Sequence, residues 1–326
     1  MPKHRSTKSR TKQSTEYLKP CPISKGGRNH ETTKKTSTQF PHEKVQARWF
    51  AKRTSQHLEY LHDKRHKLGI SLEELIAQRG SNHSVTDWTD ITTSQYIVDS
   101  DDVPLVVFLK GGLKWPLMEN PVPEGLKAIE EFVRRYLQPR RKTDNIRHSD
   151  VQQATGAGAH YLAFWHAIGG TEAVVSKDAH GGASYKLDAT MEFLSRFTPV
   201  TQSVGALFEL IDRASYHRYC EQFTNFAKTT ASRLLETTSR NCFLGTALLS
   251  NLRCKPHRDK LDTLDGWVAD MAFGDFTGGW LEVAQTERGF QLAPGDIIFL
   301  KSNLLEHSVP EFEGTRYGVV YVHIHL

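Results

Sequence analysis

Two stretches near the end of the sequence decide the fold: residues 256–283 read PHRDKLDTLDGWVADMAFGDFTGGWLEV, and residues 292–326 read LAPGDIIFLKSNLLEHSVPEFEGTRYGVVYVHIHL. Both alternate short apolar runs with Gly, Pro, Asp or Asn, which is typical of strands joined by turns. The strands predicted in this last third are Phe243–Leu249, Val268–Phe273, Trp280–Val283, Gly289–Leu292, Ile297–Leu300 and Tyr317–Ile324. Many short strands at this spacing predict a sandwich or a barrel.

Upstream of residue 240 the apolar residues recur mostly at helical spacing. The predicted helices cover about residues 42–67, 71–78, 123–137 and 202–239, with a break in the last one near Tyr216. Two β-branched apolar runs, Tyr96–Val98 and Leu105–Leu109, are the strands predicted in this part. Because helices come first and strands come last, the predicted class is α+β.

A change in composition near residue 42 divides the chain. Residues 1–42 are rich in Ser, Thr, Lys, Gly and Pro and lack apolar periodicity, so we expect a disordered basic tail. We expect residues 43–326 to form one domain, in which residues 43–239 are mainly a helical support and residues 240–326 are the strand-rich core.

The charge of the chain is concentrated at its beginning. The net charge is +5, and residues 1–50 carry 12 Lys and Arg against three Glu. A basic arm attracts polyanions such as nucleic acids, although a solubilising tail or a nuclear-import signal has the same composition. No run of about 18 apolar residues exists and no apolar stretch follows the basic start, so we expect no membrane span, and a nuclear or alternatively cytoplasmic location.

Three residues in the strand-rich part have the identities of a metal site. His257 and Asp259 lie two positions apart, and His307 follows 50 residues after His257. Residues i and i+2 of an extended segment point the same way, so the first two can reach one ion together. Two imidazoles and one carboxylate form the facial triad of non-haem Fe(II) oxygenases, and this ligand set leaves open positions for a keto acid and O2. The alternative is a polar turn at residues 257–259 and a strand-end His307.

Arg316 follows His307 by nine residues, on the next predicted strand. A guanidinium grips a carboxylate through two parallel hydrogen bonds, which an ammonium group does not match. Arg316 is therefore the candidate anchor for the distal carboxylate of 2-oxoglutarate, and a surface arginine is the alternative.

The two quoted stretches resemble the TET/JBP family of nucleic-acid-modifying dioxygenases, and most closely its fungal members. The motifs that carry the resemblance are HxDxxD at 257–262, GDFxGGxL at 274–281, PGD at 294–296, LxH at 305–307 and GxRYxxVY at 314–321. The resemblance is strong over residues 240–326 and weaker at DSDDVPLVVFL near residue 100. It implies a double-stranded β-helix (jelly-roll or cupin-like) core, so that residues 240–326 become the metal-binding β-helix core.

The resemblance also implies roles for single residues. His257, Asp259 and His307 match the iron ligands, and Arg316 matches the co-substrate anchor. Arg253 matches an arginine that contacts the co-substrate near the metal. Asp262 matches a carboxylate that accepts a hydrogen bond from the exocyclic amine of a flipped cytosine. His323 or His325 matches a histidine that contacts the same base. Relatives often carry Ser where this chain has Gly318, which puts one co-substrate contact in doubt.

The function expected from the resemblance is oxidation of a methyl group on a nucleobase, most of all 5-methylcytosine in DNA. The expected cofactors are Fe(II), 2-oxoglutarate and O2, with ascorbate as a stimulant, and RNA is the alternative nucleic acid. Two other classes stay open: a hydroxylase of a protein side chain or small molecule, and a catalytically silent relative that binds nucleic acid. The sequence does not decide between 5-methylcytosine, thymine and N6-methyladenine, nor the extent of oxidation, the sequence context or the oligomeric state.

Overall fold

The computed structural model describes residues 41–116, 119–136, 157–166, 173–180, 184–227 and 242–323. Nearly all of the predicted tail, residues 1–40, lies outside the described residues, and so does His325. The described helices are α1 (Pro41–Asp63), α2 (Leu72–Ala77), α3 (Val122–Arg135), α4 (Lys177–His180), α5 (Ser184–Arg196), α6 (Thr198–Ile211) and α7 (Arg213–Ala227).

The described strands form a large sheet and a small sheet. They are β1 (His66–Lys67), β2 (Thr89–Ile91), β3 (Gln95–Val98), β4 (Pro104–Leu109), β5 (Gly158–His166), β6 (Ala173–Val175), β7 (Gly245–Ser250), β8 (Cys254–His257), β9 (Val268–Gly278), β10 (Leu281–Val283), β11 (Arg288–Phe290), β12 (Ile297–Leu300), β13 (His307–Val309) and β14 (Phe312–Val322). The large sheet has the order β1-β3-β4-β12-β9-β14-β7-β5-β6, and the small sheet has the order β2-β11-β10-β13-β8. Strands from before residue 240 therefore belong to both sheets, and the β-core is wider than residues 240–326.

β9 lies in the middle of the large sheet, and its first six residues, 268–273, are buried on both faces. Val268 and Ala272 belong to an apolar cluster that fills the space between the two sheets, together with side chains of β10 and β11. Met271 and Phe273 point the opposite way, into the cluster shared with the helices. Successive side chains of a strand alternate between faces, and a strand covered on both faces reads as a continuous apolar run. Residues 268–273 form a nearly continuous apolar run because both faces of this part of β9 are covered.

The helices cover the outer face of the large sheet through aromatic side chains. Phe208 of α6 stacks on Phe299 of β12, with ring centroids 5.9 Å apart and an interplanar angle of 13°. Phe132 of α3 contacts Phe193 of α5 at a centroid distance of 5.0 Å. Each buried phenyl group contributes roughly 1.5–3 kcal/mol of burial free energy, so this layer is a main source of stability.

Two glycines allow the long antiparallel pairing of β9 with β14. Gly274 has φ +106° and Gly314 has φ +94°. A Cβ at Gly274 would collide with the carbonyl oxygen of Thr315, and one at Gly314 would collide with that of Asp275. Because only glycine adopts these backbone angles without strain, both positions of the GDF and GTR segments are constrained by the backbone.

The α+β class and the strand-rich end of the chain are confirmed. The helical region expected at 202–239 is divided differently: α6 already begins at Thr198, the break falls at Asp212 instead of near Tyr216, and residues 228–239 lie outside the described residues. Asp212 accepts hydrogen bonds from the backbone N–H and hydroxyl of Ser215, and so caps the start of α7. Among the described residues, none of the helices combines the length and apolar character that a membrane span requires.

Candidate metal centre and its surroundings

The structure brings His257, Asp259 and His307 together at one end of the small sheet. His257 is the last residue of β8 and His307 is the first of β13, and the two are register partners. Their Nε2 atoms lie 3.6 Å and 3.5 Å from the two oxygens of Asp259. One ligand atom from each of the three residues lies within 4.8 Å of the others. This geometry places two nitrogens and one oxygen around a single point.

The backbone fixes which nitrogen of each imidazole faces that point. His307 Nδ1 lies 3.0 Å from the carbonyl of Leu305, and His257 Nδ1 lies 2.9 Å from the carbonyl of Lys255. A carbonyl only accepts hydrogen bonds, so each Nδ1 carries the proton and each Nε2 keeps its lone pair for a metal. The backbone N–H of Asp259 donates to the carbonyl of Ser302, which holds the third ligand residue in place.

The electrostatics of the cluster also favour a cation. Burial opposes the charge of Asp259, but the adjacent imidazoles of His257 and His307 hold the pKa of this carboxyl well below its usual range. Burial opposes protonation of His307 in the same way, yet Asp259 raises the pKa of this imidazole overall. The carboxylate is therefore ionised and attracts positive charge to the space between the rings. A His-His-carboxylate donor set with open positions suits Fe(II), so the residues present fit that ion.

Arg316 extends from β14 into the space between the sheets. It is only 3% exposed, and its guanidinium carbon lies 5.4 Å from the ring centroid of Phe276 and 5.9 Å from that of Phe312. Its Nε and Nη2 atoms are buried and have no hydrogen-bond partner among the described residues. These two atoms form one edge of the guanidinium, and that edge matches the two oxygens of a carboxylate.

Gly279 keeps the space beside this edge clear. A Cβ at that position would lie 3.2 Å from Arg316 Nε. The second glycine of the GGxL motif therefore leaves room for the Arg316 side chain. At Gly318 a Cβ would lie 3.4 Å from Arg316 Nη1, so a side chain at this position would lie directly against the guanidinium.

Asp270 on β9 is a site residue that the sequence reasoning missed. It is 8% exposed, and its Oδ1 has no hydrogen-bond partner among the described residues. Burial raises the pKa of this carboxyl to about 6, while the neighbouring charges of Arg316 and His307 oppose the rise. The signal was present in the sequence, because a charged residue inside the buried run Val268–Phe273 is rarely tolerated without a partner.

Asp262 lies just behind the triad. Its Oδ2 accepts a 2.7 Å hydrogen bond from the hydroxyl of Ser302, and its backbone carbonyl accepts one of 2.6 Å from the side chain of Asn303. Ser302 also holds Asp259 through its carbonyl. The loop after β12 therefore fixes the metal-site aspartate and Asp262 relative to each other.

His323 points towards the helices. It stacks on Tyr219 of α7 with ring centroids 3.5 Å apart at 9°, and its Nε2 forms a hydrogen bond with Oε1 of Gln222. Burial lowers the pKa of this imidazole to about 3, with a smaller contribution from Arg218. The carbonyl of His323 accepts a hydrogen bond from the backbone N–H of Thr263, the residue that follows Asp262 in the sequence.

Arg253 and a nearby cavity complete the surroundings. The structure pairs Arg253 with Glu311 at the surface.

Beside His307, on the outer side of the small sheet, lies a cavity of about 320 Å³. It is lined by His83, Ser84, Val85, Trp88, Pro256, Glu282, Ala284, Glu306, His307 and Ser308. Open space of a size that accepts a small ligand therefore adjoins the candidate centre.

The comparison with solved structures identifies the fold. A structure described as NgTET1 in complex with 5mC DNA matches with a TM-score of 0.51 and 18% identity, over 78% of this chain and 89% of that chain. The fold is a double-stranded β-helix. In this β-helix the triad lies at one end of the small sheet, and Arg316 points inward from the large sheet. An oxidoreductase of the 2OG-Fe(II) oxygenase family from Burkholderia pseudomallei matches with a TM-score of 0.38 and 13% identity, over 79% of this chain and 94% of that chain.

A curated relative is similar in sequence to part of the chain. Tet-like dioxygenase 1 from Naegleria gruberi is 27% identical over 157 residues, which is 43% of this chain. The chain spans about half (48%) of the length of this relative. No protein-family profile matches the sequence.

Proposed function

We propose that the chain is an Fe(II)- and 2-oxoglutarate-dependent dioxygenase. The observation that carries the proposal is the presence, in one β-helix, of a His-Asp-His cluster and of a buried Arg316 whose carboxylate-binding edge is open. The curated similarity to a Tet-like dioxygenase supports the same assignment. Ascorbate as a stimulant is part of the proposal by resemblance.

The residues divide the work between metal and co-substrate. His257, Asp259 and His307 hold the iron, and Arg316 holds the distal carboxylate of 2-oxoglutarate between the two sheets. With iron, O2 and 2-oxoglutarate bound, such a site converts a C–H bond to an alcohol while 2-oxoglutarate becomes succinate and CO2. Burial of Arg316 strengthens its interaction with an anion, because little water competes for the guanidinium.

The proposed substrate is 5-methylcytosine in DNA, with 5-hydroxymethylcytosine as the first product. Support comes from the names of the similar proteins, one a Tet-like dioxygenase and the other solved with 5mC DNA. A base inside a duplex must leave the stack to reach a buried centre, which costs a few kcal/mol. The nuclear location and the closer likeness to fungal members stay predictions.

Asp262 is the residue proposed to read the base. Its carboxylate takes the Ser302 hydroxyl on Oδ2, and a carboxylate has lone pairs for further donors. The exocyclic amine of cytosine or adenine is such a donor, whereas thymine presents a carbonyl at that edge. His323 borders the same loop, and its role on the base remains a proposal, as does that of His325.

Incubation of a methylated duplex with protein, Fe(II) and 2-oxoglutarate tests the proposal by mass spectrometry of the nucleosides. We expect 5-hydroxymethylcytosine and an equal amount of succinate. Succinate formed only with a peptide or small-molecule substrate would move the assignment to another hydroxylase class. Binding of DNA without any succinate under all conditions would indicate a silent relative.

A further inference from the structure

The carboxylate of Asp270 lies in the same interior as the guanidinium of Arg316. Asp270 and Arg316 occupy even-numbered positions of the neighbouring strands β9 and β14, whose even-numbered apolar side chains fill the space between the sheets. Of the charged groups near Arg316, Asp270 has the largest effect on its pKa. Arg316 is in turn the charged group with the largest effect on the pKa of Asp270.

The two side chains influence each other's charge, but none of the three buried atoms considered next takes part in a hydrogen bond between them. Among the described residues, Asp270 Oδ1 has no hydrogen-bond partner, and neither do Nε and Nη2 of Arg316. Asp270 therefore compensates the buried guanidinium electrostatically and leaves its carboxylate-binding edge open. A buried guanidinium with no negative charge nearby would be strongly unfavourable, which gives this acidic residue a reason to lie in an apolar strand.

We propose that Asp270 is an internal counter-ion of Arg316 that sets the affinity for the keto-diacid co-substrate. This proposal rests on the proposed function, because it assigns the open edge of Arg316 to the distal carboxylate. When that carboxylate binds, two carboxylates share one guanidinium in a site with little water. Their mutual repulsion lowers the affinity below the value that Arg316 alone would give.

The surroundings of Asp270 make ionisation of its carboxyl group less favourable than in water. The groups that act on it are Arg316, His307 and the backbone N–H of Met271, which favour the charge, and Asp259, which disfavours it. Burial outweighs the favourable groups and raises the pKa of Asp270 to about 6. A second carboxylate at Arg316 acts in the same direction as burial.

The substitution Asp270→Asn removes the charge and keeps the shape. Isothermal titration of 2-oxoglutarate into the Fe(II)-loaded protein, under nitrogen, measures binding without turnover. We expect Asp270→Asn to bind 2-oxoglutarate about tenfold more tightly, since a like charge disfavours the bound carboxylate and a nearby opposite charge shifts a carboxylate equilibrium by about one to three powers of ten. The ligand-free variant should also unfold at a lower temperature than the wild type, because Arg316 has lost its counter-charge. Asp270→Glu, which keeps the charge, should bind with nearly wild-type affinity.

Asp99→Asn is the matched control. Asp99 is buried too, but it accepts backbone N–H groups of Leu72, Asp101 and Val103 at an edge of the large sheet. This control should lose stability with unchanged 2-oxoglutarate affinity. If Asp270→Asn does not fold, Asp270→Ser is measured in its place. Unchanged or weaker binding by the neutral variant overturns the counter-ion proposal, whereas failure of the wild type to bind 2-oxoglutarate overturns the proposed function itself.

Discussion

His257 and His307 face each other as register partners of two antiparallel strands, with their ring centroids 4.4 Å apart. A strand pairing, and not a single loop, thus sets the distance between the two imidazoles. Asp259 reaches the same point from just beyond the end of β8. The metal geometry is therefore as rigid as the small sheet.

Removal of the carboxylate ligand should abolish turnover and spare the fold. We expect Asp259→Ala to form succinate at less than about 1% of the wild-type rate, because a two-histidine site loses the charge that binds Fe(II). Asp265→Ala, in the same loop but half exposed, is the matched control and should stay active. Wild-type succinate production by Asp259→Ala, with iron content measured in parallel, would remove Asp259 from the ligand set.

Arg316→Lys should raise the KM for 2-oxoglutarate. Lysine keeps the charge but offers no planar edge, so a charged hydrogen bond of roughly 1.5–3 kcal/mol is lost and the KM rises about ten- to a hundredfold. DNA binding should change little. Arg253→Lys, measured alongside, should leave the KM nearly unchanged, since Arg253 pairs with Glu311. The reverse pattern would transfer the distal carboxylate to Arg253.

Gly318→Ser should tighten co-substrate binding. A Cβ fits at this position, 3.4 Å from Arg316 Nη1 and 3.6 Å from Leu249 Cβ, and we expect the hydroxyl to reach the co-substrate held by the guanidinium. One additional hydrogen bond contributes about 0.5–1.5 kcal/mol, so the KM for 2-oxoglutarate should fall about two- to tenfold. Gly318→Ala supplies the Cβ without the hydroxyl and should not show this gain. Equal effects of Ser and Ala would assign the change to packing.

Asp262→Ala should reduce the preference for amino-bearing bases. A buried acceptor left without its donor costs about 1–3 kcal/mol, so the wild type should prefer 5-methylcytosine over thymine by roughly ten- to a hundredfold. The variant should lose most of its 5-methylcytosine turnover and still consume 2-oxoglutarate slowly. Succinate and modified nucleosides, quantified on methylated and thymine-only duplexes, decide the matter. Untouched 5-methylcytosine turnover would disprove the base-reading role.

Stability should fall in acid because of His323. Its pKa is about 3 in the folded protein and about 6.5 when exposed, so unfolding takes up a proton at intermediate pH. The contribution of the neutral imidazole is complete above about pH 6.5 and declines as the pH falls towards 3. Urea unfolding at pH 7 and pH 5 should show a smaller pH dependence for His323→Phe, which keeps the stacking on Tyr219. His217→Gln, on the exposed face of α7, should retain the wild-type dependence.

The sequence predicted those features that depend on local pattern. The strand at 297–300 was placed correctly, because a short apolar run between PGD and KSN leaves little freedom in its ends. The proximity of His257 and Asp259 follows from their spacing. Pairings between segments that are distant in the sequence have no local pattern that predicts them. The parallel pairing of β2 with β11 in the small sheet is an example.

The surroundings of the site were harder to predict for a related reason. Alternation along β14 separates two faces but does not say which face meets the helices. Arg316 points between the sheets, whereas Val319, Tyr321 and His323 point to the helical side. His323 therefore packs on α7 and does not face the space between the sheets. Asp270 lies within an apolar run, and such a run predicts a buried strand without indicating what its one charged residue does.

The pairing of β4 with β12 joins two segments that are far apart in the sequence. Leu109 is the register partner of Ile297, which the ribosome adds 188 residues later. The strand that carries Arg316, β14, is the last of the described strands along the chain, yet it lies inside the large sheet between β9 and β7. Contacts of such large sequence separation form slowly. A nascent chain that has not yet released β13 and β14 lacks both His307 and Arg316, so the proposed iron and co-substrate sites are complete only after these two strands have joined their sheets.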